Sequence, residues 1–87
     1  MNVAEAAEWM LSELERRKFL EQDAVAYHLY KQNKALTYQN DNGNLAIAKD
    51  VLAAFRKLTD DKDIVWSRGE RHWRHRQKHD KPGRMQD

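Results

Sequence analysis

Three stretches of the chain carry apolar residues at helical spacing. A fourth is rich in β-branched and aromatic residues around a glycine. In residues 3–17, VAEAAEWMLSELERR, Val3, Ala7, Met10, Leu11 and Leu14 fall on one stripe, with Glu5, Glu8, Ser12 and Glu15 opposite. That pattern predicts a first amphipathic helix. Trp9 falls off the stripe, near Glu5 and Arg16, so its indole is either covered by a distant part of the domain or kept for a partner. Residues 20–32, LEQDAVAYHLYKQ, predict a second helix with Val25 and Leu29 as core and Ala24, Tyr27 or His28 flanking. The segment KALTYQ then has the content of a short extended piece. Leu45, Ala48, Val51, Leu52, Phe55 and Leu58 follow at helical spacing and predict a third helix over residues 45–58.

The run NDNGN, residues 40–44, precedes that helix and has two readings. A calcium loop needs oxygen ligands at positions 1, 3 and 5, glycine at 6 and a bidentate Glu at 12. With Gly43 at position 6, Tyr38 falls at 1 and Lys49 at 12, and an ammonium there repels the ion. The run therefore reads as a turn. Gly43 supplies the permissive backbone angle, and Asn42 or Asn44 accepts the free amides of the third helix.

After the polar turn TDDKD, the segment DIVWSRGERHWRHRQ predicts a hairpin with Gly69 at its corner. Trp66 and Trp73 are large enough to pin it onto the helices. Strand alternation puts Arg71, Trp73 and His75 on one face and His72, Arg74 and Arg76 on the other. Residues 78–87, KHDKPGRMQD, lack apolar periodicity and read as a basic, mobile tail beyond a domain of residues 1–77.

Charge sharpens this picture. Residues 1–33 hold four Lys/Arg and six Asp/Glu (−2), residues 34–63 hold five of each, and residues 64–87 hold seven and three (+4). Three of the four histidines also lie in that last third. Such asymmetry points to a polyanion, or to an ordinary solubilising tail. The 87 residues suffice for one small core. With no cysteine there is no disulfide, thiolate zinc site or cysteine nucleophile, which fits a reducing cytoplasm. No apolar run suits a membrane span, and MNVAEAAEW lacks the plan of a signal peptide.

The expected fold is therefore mainly α with a C-terminal β-hairpin, a single winged helix-turn-helix-like domain. By fold-level analogy its third helix enters the DNA major groove and its hairpin wing grips phosphate or the minor groove. The candidate nucleic-acid contacts are Asn44 at the helix tip and Lys49, Arg56 and Lys57 on its outward side, where Ala53 allows close approach. Arg68, Arg71, Arg74 and Arg76 supply the wing. Asp50, Asp60, Asp61 and Asp63 weaken the local positive field. His72, His75 and His79 with Asp80 are metal-ligand types, but strand alternation sends the first two to opposite faces, so no metal or other cofactor is expected. No arrangement of nucleophile, base or paired carboxylates supports catalysis.

The segments AEWMLSEL, TYQNDNGNLAIAKDVLAAFRKLT and VWSRGERHWRHR…DKPGRMQD resemble a small bacterial family of unknown function. Its members look like proteins encoded on mobile elements such as integron gene cassettes and phage-derived regions. The resemblance covers nearly the whole chain and implies no catalytic residue. The expected function is a non-enzymatic nucleic-acid-binding or regulatory module. The alternative is a protein-interaction module or homodimer that uses Trp9 and other exposed aromatics.

Overall fold

The computed structural model describes residues 1–87. Helix α1 spans Val3–Arg17 and starts at a reciprocal cap. The Asn2 side chain accepts from the Glu5 amide at 2.8 Å, and the Asn2 amide donates to Glu5 Oε1 at 2.9 Å. Ala6, Ala7, Met10 and Leu14 are buried, and α1 packs chiefly on the third helix. The helix ends at Lys18 in the left-handed region (φ 74°), which turns the chain sharply.

Strand β1 (Phe19–Glu21) follows where the apolar pattern predicted the start of a helix, and α2 begins only at Gln22 and runs to Gln32. Three residues are too few to show a period of two. What holds β1 is pairing with the distant strand β5 (His72–His75), with Leu20 opposite Trp73.

A 3-10 turn at Lys34–Leu36 leads into β2 (Thr37–Gln39). Its antiparallel partner is β3 (Leu45–Ile47), and α3 spans Lys49–Leu58. Residues 45–47 are thus strand, contrary to the expected helix over 45–58. NDNGN is a hairpin loop and does not cap α3. Asn40 organises it: its Oδ1 accepts from the amides of Asn42 and Asn44, both at 3.0 Å, and its own amide donates to the Asn44 carbonyl at 2.9 Å. Gly43 donates to the Asn40 carbonyl at φ +80°. Leu45 to Ala48 suit either period. The loop decides for strand, because it aligns Thr37–Gln39 against them. Ala48 occupies the cap position before α3 and supplies no side-chain cap. Leu58, expected in the core, is exposed.

Strand β4 (Ile64–Ser67) pairs antiparallel with β5, Trp66 opposite Trp73. The C-terminal pair is not a free wing. It is flanked by β1 on one side and by β6 (Met85–Gln86), parallel to β4, on the other, in the order β1-β5-β4-β6. The chain is therefore an α/β domain with three helices, a mixed four-stranded sheet and a separate two-stranded one.

Residues 78–87, expected as a mobile tail, return to the sheet instead. Gln86 is buried, and its side-chain amide closes on the Lys81 backbone in both directions, accepting at 2.9 Å and donating at 2.8 Å. Polar residues without apolar periodicity can thus be ordered when their groups are satisfied inside.

Trp73 carries β5 into the core. Its ring lies 5.3 Å from Phe55, edge-on, and 4.7 Å from Trp66. Truncating a core aromatic costs about 3–5 kcal/mol, comparable with the whole stability of a small domain. Trp73→Ala and Phe55→Ala should therefore show no cooperative thermal transition near the parent's midpoint by circular dichroism. In the loop, Asn40→Ala strips acceptors from two amides and should cost about 1–2 kcal/mol in urea unfolding. Asn42→Ala, whose side chain makes no such bonds, should change little.

Candidate nucleic-acid interface

α3 buries Val51 and Phe55 toward α1 and the sheet, so its opposite side faces outward. Lys49, Ala53, Arg56 and Lys57 are all exposed there. Arg56 lies 3.9 Å from Asp61 Oδ2, with its side chain mostly exposed. Lys49 and Lys57 have no carboxylate within ion-pair distance, and Asp50 is the acidic residue of the helix's first turn. Asn44 is not at the tip of this helix; it ends the β2–β3 loop.

The four arginines expected in the wing divide sharply. Arg68 extends from the β4–β5 turn, with its backbone amide bonded to the Gln86 carbonyl at 3.0 Å. Arg71, at φ 55°, places its guanidinium 3.3 Å from Asp23 Oδ1 and 3.5 Å from Gln22 Oε1 while remaining largely exposed.

Arg74 and Arg76 are both engaged within the protein, in bonds that charge alone does not disclose. Arg74 makes a two-pronged bond to Asp80, at 2.8 and 2.9 Å, on the sheet face away from the helices. Asp80 also accepts from the Gln77 amide at 2.7 Å. The Arg74 guanidinium, and next the Gln77 amide, hold the Asp80 carboxyl well below the usual carboxylate range, and Arg74 is raised in turn. Arg76 donates to the carbonyls of Asp61 (2.8 and 3.0 Å), Lys81 (2.8 Å) and Gly83. A guanidinium has five N–H donors in a rigid fork, which suits it to gathering backbone acceptors from separate loops. Arg84, unnoticed in the sequence, binds Asp61 at 2.6 Å and lowers that carboxyl, and Lys81 does the same to Asp87. Much of the +4 balance of the last third is therefore internal structure.

The histidines do not converge, and no group of three His, Asp or Glu side chains is placed to hold a metal. His72 lies beside Phe19 and 3.5 Å from Glu70, whereas His75 lies 3.6 Å from Glu15. Trp9, considered for a partner, is stacked on His28 at 3.9 Å with the rings parallel within 3° and is packed against the core. It is partly covered from within.

The tertiary fold does bring Asn44 and Arg71 together. Both line an open cleft of about 320 Å³ with Asp23, Ala26, Tyr27 and Leu45. Tyr27 and Tyr30 were not expected as functional surface. Their signal was the spacing Tyr27, Tyr30, Lys31, Lys34, which repeats an aromatic and a lysine four residues apart.

A family model described as a family of unknown function, DUF6953, matches residues 2–75. The chain belongs to DUF6953. The match ends at the last residue of β5, so Arg74 lies inside the DUF6953 region while Asp80 and β6 lie beyond it. No curated protein and no solved structure matches the chain. No helix is long and apolar enough to cross a membrane.

The Arg74–Asp80 pair predicts a pH dependence. A carboxyl whose folded value lies below its unfolded value of about 3.9 adds stability that is complete above that value. The contribution is lost as the pH falls toward the folded value. Asp80→Asn should lower the thermal midpoint at pH 7, with the gap to the parent closing as the pH drops below about 4. A gap that stays constant into strong acid would show that Asp80 acts without its charge.

Proposed function

We propose that this protein is a small, non-enzymatic nucleic-acid-binding or regulatory module of winged-helix type that presents α3 to duplex DNA. The observation that carries the reading is the outward side of α3, where Lys49, Arg56 and Lys57 surround the small Ala53 and are free of strong internal pairing. Cations there neutralise phosphates, and a small residue lets the helix approach the groove. Three helices followed by the β4–β5 pair also suit the element order of a winged helix, by analogy alone. One departure matters. Helix-turn-helix units join their helices by a short turn, whereas here the β2–β3 hairpin stands between α2 and α3. The contact thus rests on α3 and Arg68 more than on a two-helix unit or an arginine-rich wing.

The lack of cysteine is compatible with a reducing cytoplasm. The resemblance to proteins of integron cassettes and phage-derived regions supports a gene carried on mobile DNA. The second reading is a protein-interaction module or homodimer. It is favoured by the exposed aromatics Phe19, Tyr27, Tyr30 and Tyr38.

Binding to a mixed-sequence duplex, titrated with salt, tests the proposal. Each neutralised phosphate contributes about 0.9 to the slope of log affinity against log salt. Replacing Lys49, Arg56 and Lys57 together by alanine should flatten that slope by up to about 2.7 units, without lowering the thermal midpoint. A parent protein that fails to bind duplex at about 50 mM salt and tens of micromolar concentration, where non-specific binding is ordinarily visible, overturns the reading. Self-association in sedimentation then favours the interaction module.

A further inference from the structure

The surface of α2 is built differently from that of α3. Tyr27 is 59% exposed and Tyr30 40%, so both rings present open surface side by side. Three residues apart on one helix, they are neighbours, with Cβ atoms about 5–6 Å apart. Each ring carries a lysine: Lys31 Nζ lies 4.6 Å from the Tyr27 centroid and Lys34 Nζ 5.6 Å from that of Tyr30. An ammonium over one face of a ring is held by the ring quadrupole, and the exposure of both rings leaves surface open to a second flat partner.

We infer that α2 and the adjoining β2–β3 loop form a binding platform for single-stranded nucleic acid. Bases stack on Tyr27 and Tyr30, and phosphates meet Lys31 and Lys34. Stacking on aromatic rings beside a cationic track is how single strands are held without regard to sequence. Beyond Tyr27, the cleft of about 320 Å³ supplies edge contacts. The Asn44 carboxamide has no partner within the protein and offers both a donor and an acceptor to a base edge. Arg71 offers a guanidinium plane at the other wall, with its charge partly offset by Asp23. The lysines select the occupant. Lysine is depleted from the dry centres of protein interfaces, whereas a polyanionic strand uses the same ammonium groups that sit on the rings.

The platform shares no element with the α3 face, so the two can fail separately. A fluorescently labelled mixed-sequence 20-nucleotide strand and its duplex are compared by anisotropy at about 50 mM salt, a condition that keeps electrostatic contacts visible. The double variant Tyr27→Ala/Tyr30→Ala should bind the single strand at least about fivefold more weakly, the lower end for losing one base stack. Its duplex binding and thermal midpoint should stay as in the parent. Tyr27→Phe/Tyr30→Phe should keep single-strand affinity. Lys31→Glu/Lys34→Glu should weaken it, and this variant decides the matter if the alanine variant proves unstable. The α3 alanine variant should lose duplex and keep the single strand. The platform is wrong if the folded parent ignores the single strand, or if the tyrosine and lysine variants bind it as tightly as the parent. Loss of duplex binding alone counts only against the α3 reading.

Discussion

Burial of the Trp73 indole is the interaction on which the rest of the structure depends. Leu20 and Trp66 lie opposite it on the two neighbouring strands, and Phe55 meets it edge-on from α3. One ring thereby joins β1, β4, β5 and α3, elements separated by as much as three-fifths of the chain. Aromatic contacts of this kind add specific geometry to a large apolar burial. In a domain of this size few other side chains could replace that area. The left-handed turn at Lys18 and the three-residue β1 are consequences, since Leu20 reaches Trp73 only if α1 stops and the chain reverses.

The next residue along β5 does the opposite work. Arg74 points away from the helices and joins Asp80, while Arg76 and Arg84 gather Asp61 and several carbonyls. These bonds hold a C-terminal segment that has hardly any apolar residues of its own. With most of its polar groups paired internally, although Arg84 Nη2 is buried without a partner, the segment needs no hydrophobic anchor beyond the edge of β4. The same bonds occupy two arginines that charge alone would assign to phosphate. High local charge in a sequence is thus a poor guide to external electrostatics when acidic partners lie within folding reach.

Two surfaces carry cations that are not tied to a close carboxylate, and they differ in kind. The α3 face combines cations with a small residue, which suits a rigid duplex. The α2 face combines cations with open aromatic rings, which suits flexible, unstacked bases. Helix geometry explains the first and most of the second, where Lys34 comes from the 3-10 turn after α2. Residues three and four apart share a side, so each helix shows one coherent chemistry outward while its apolar residues face the core.

Helical periodicity by itself determined α1, most of α2 and the body of α3, because Met10, Leu14, Val25, Leu29, Val51 and Phe55 recur at a spacing that only a helix brings to one side. Size, and a place among strand-forming residues, marked Trp66 and Trp73 as structural. The outward side of α3 was legible from the helical periodicity. The tertiary structure decided everything that depends on distant partners. Leu45–Ile47 became a strand because the Asn40 loop set it against Thr37–Gln39, and β1 exists only through β5. Trp9 is partly covered by His28 from another helix. Arg74 and Arg76 are structural because Asp80, Asp61 and the carbonyls of the last turn come within reach. Local periodicity records which side of an element is apolar. It carries no record of which charge or edge another element will meet, since that depends on how the elements are brought together in space.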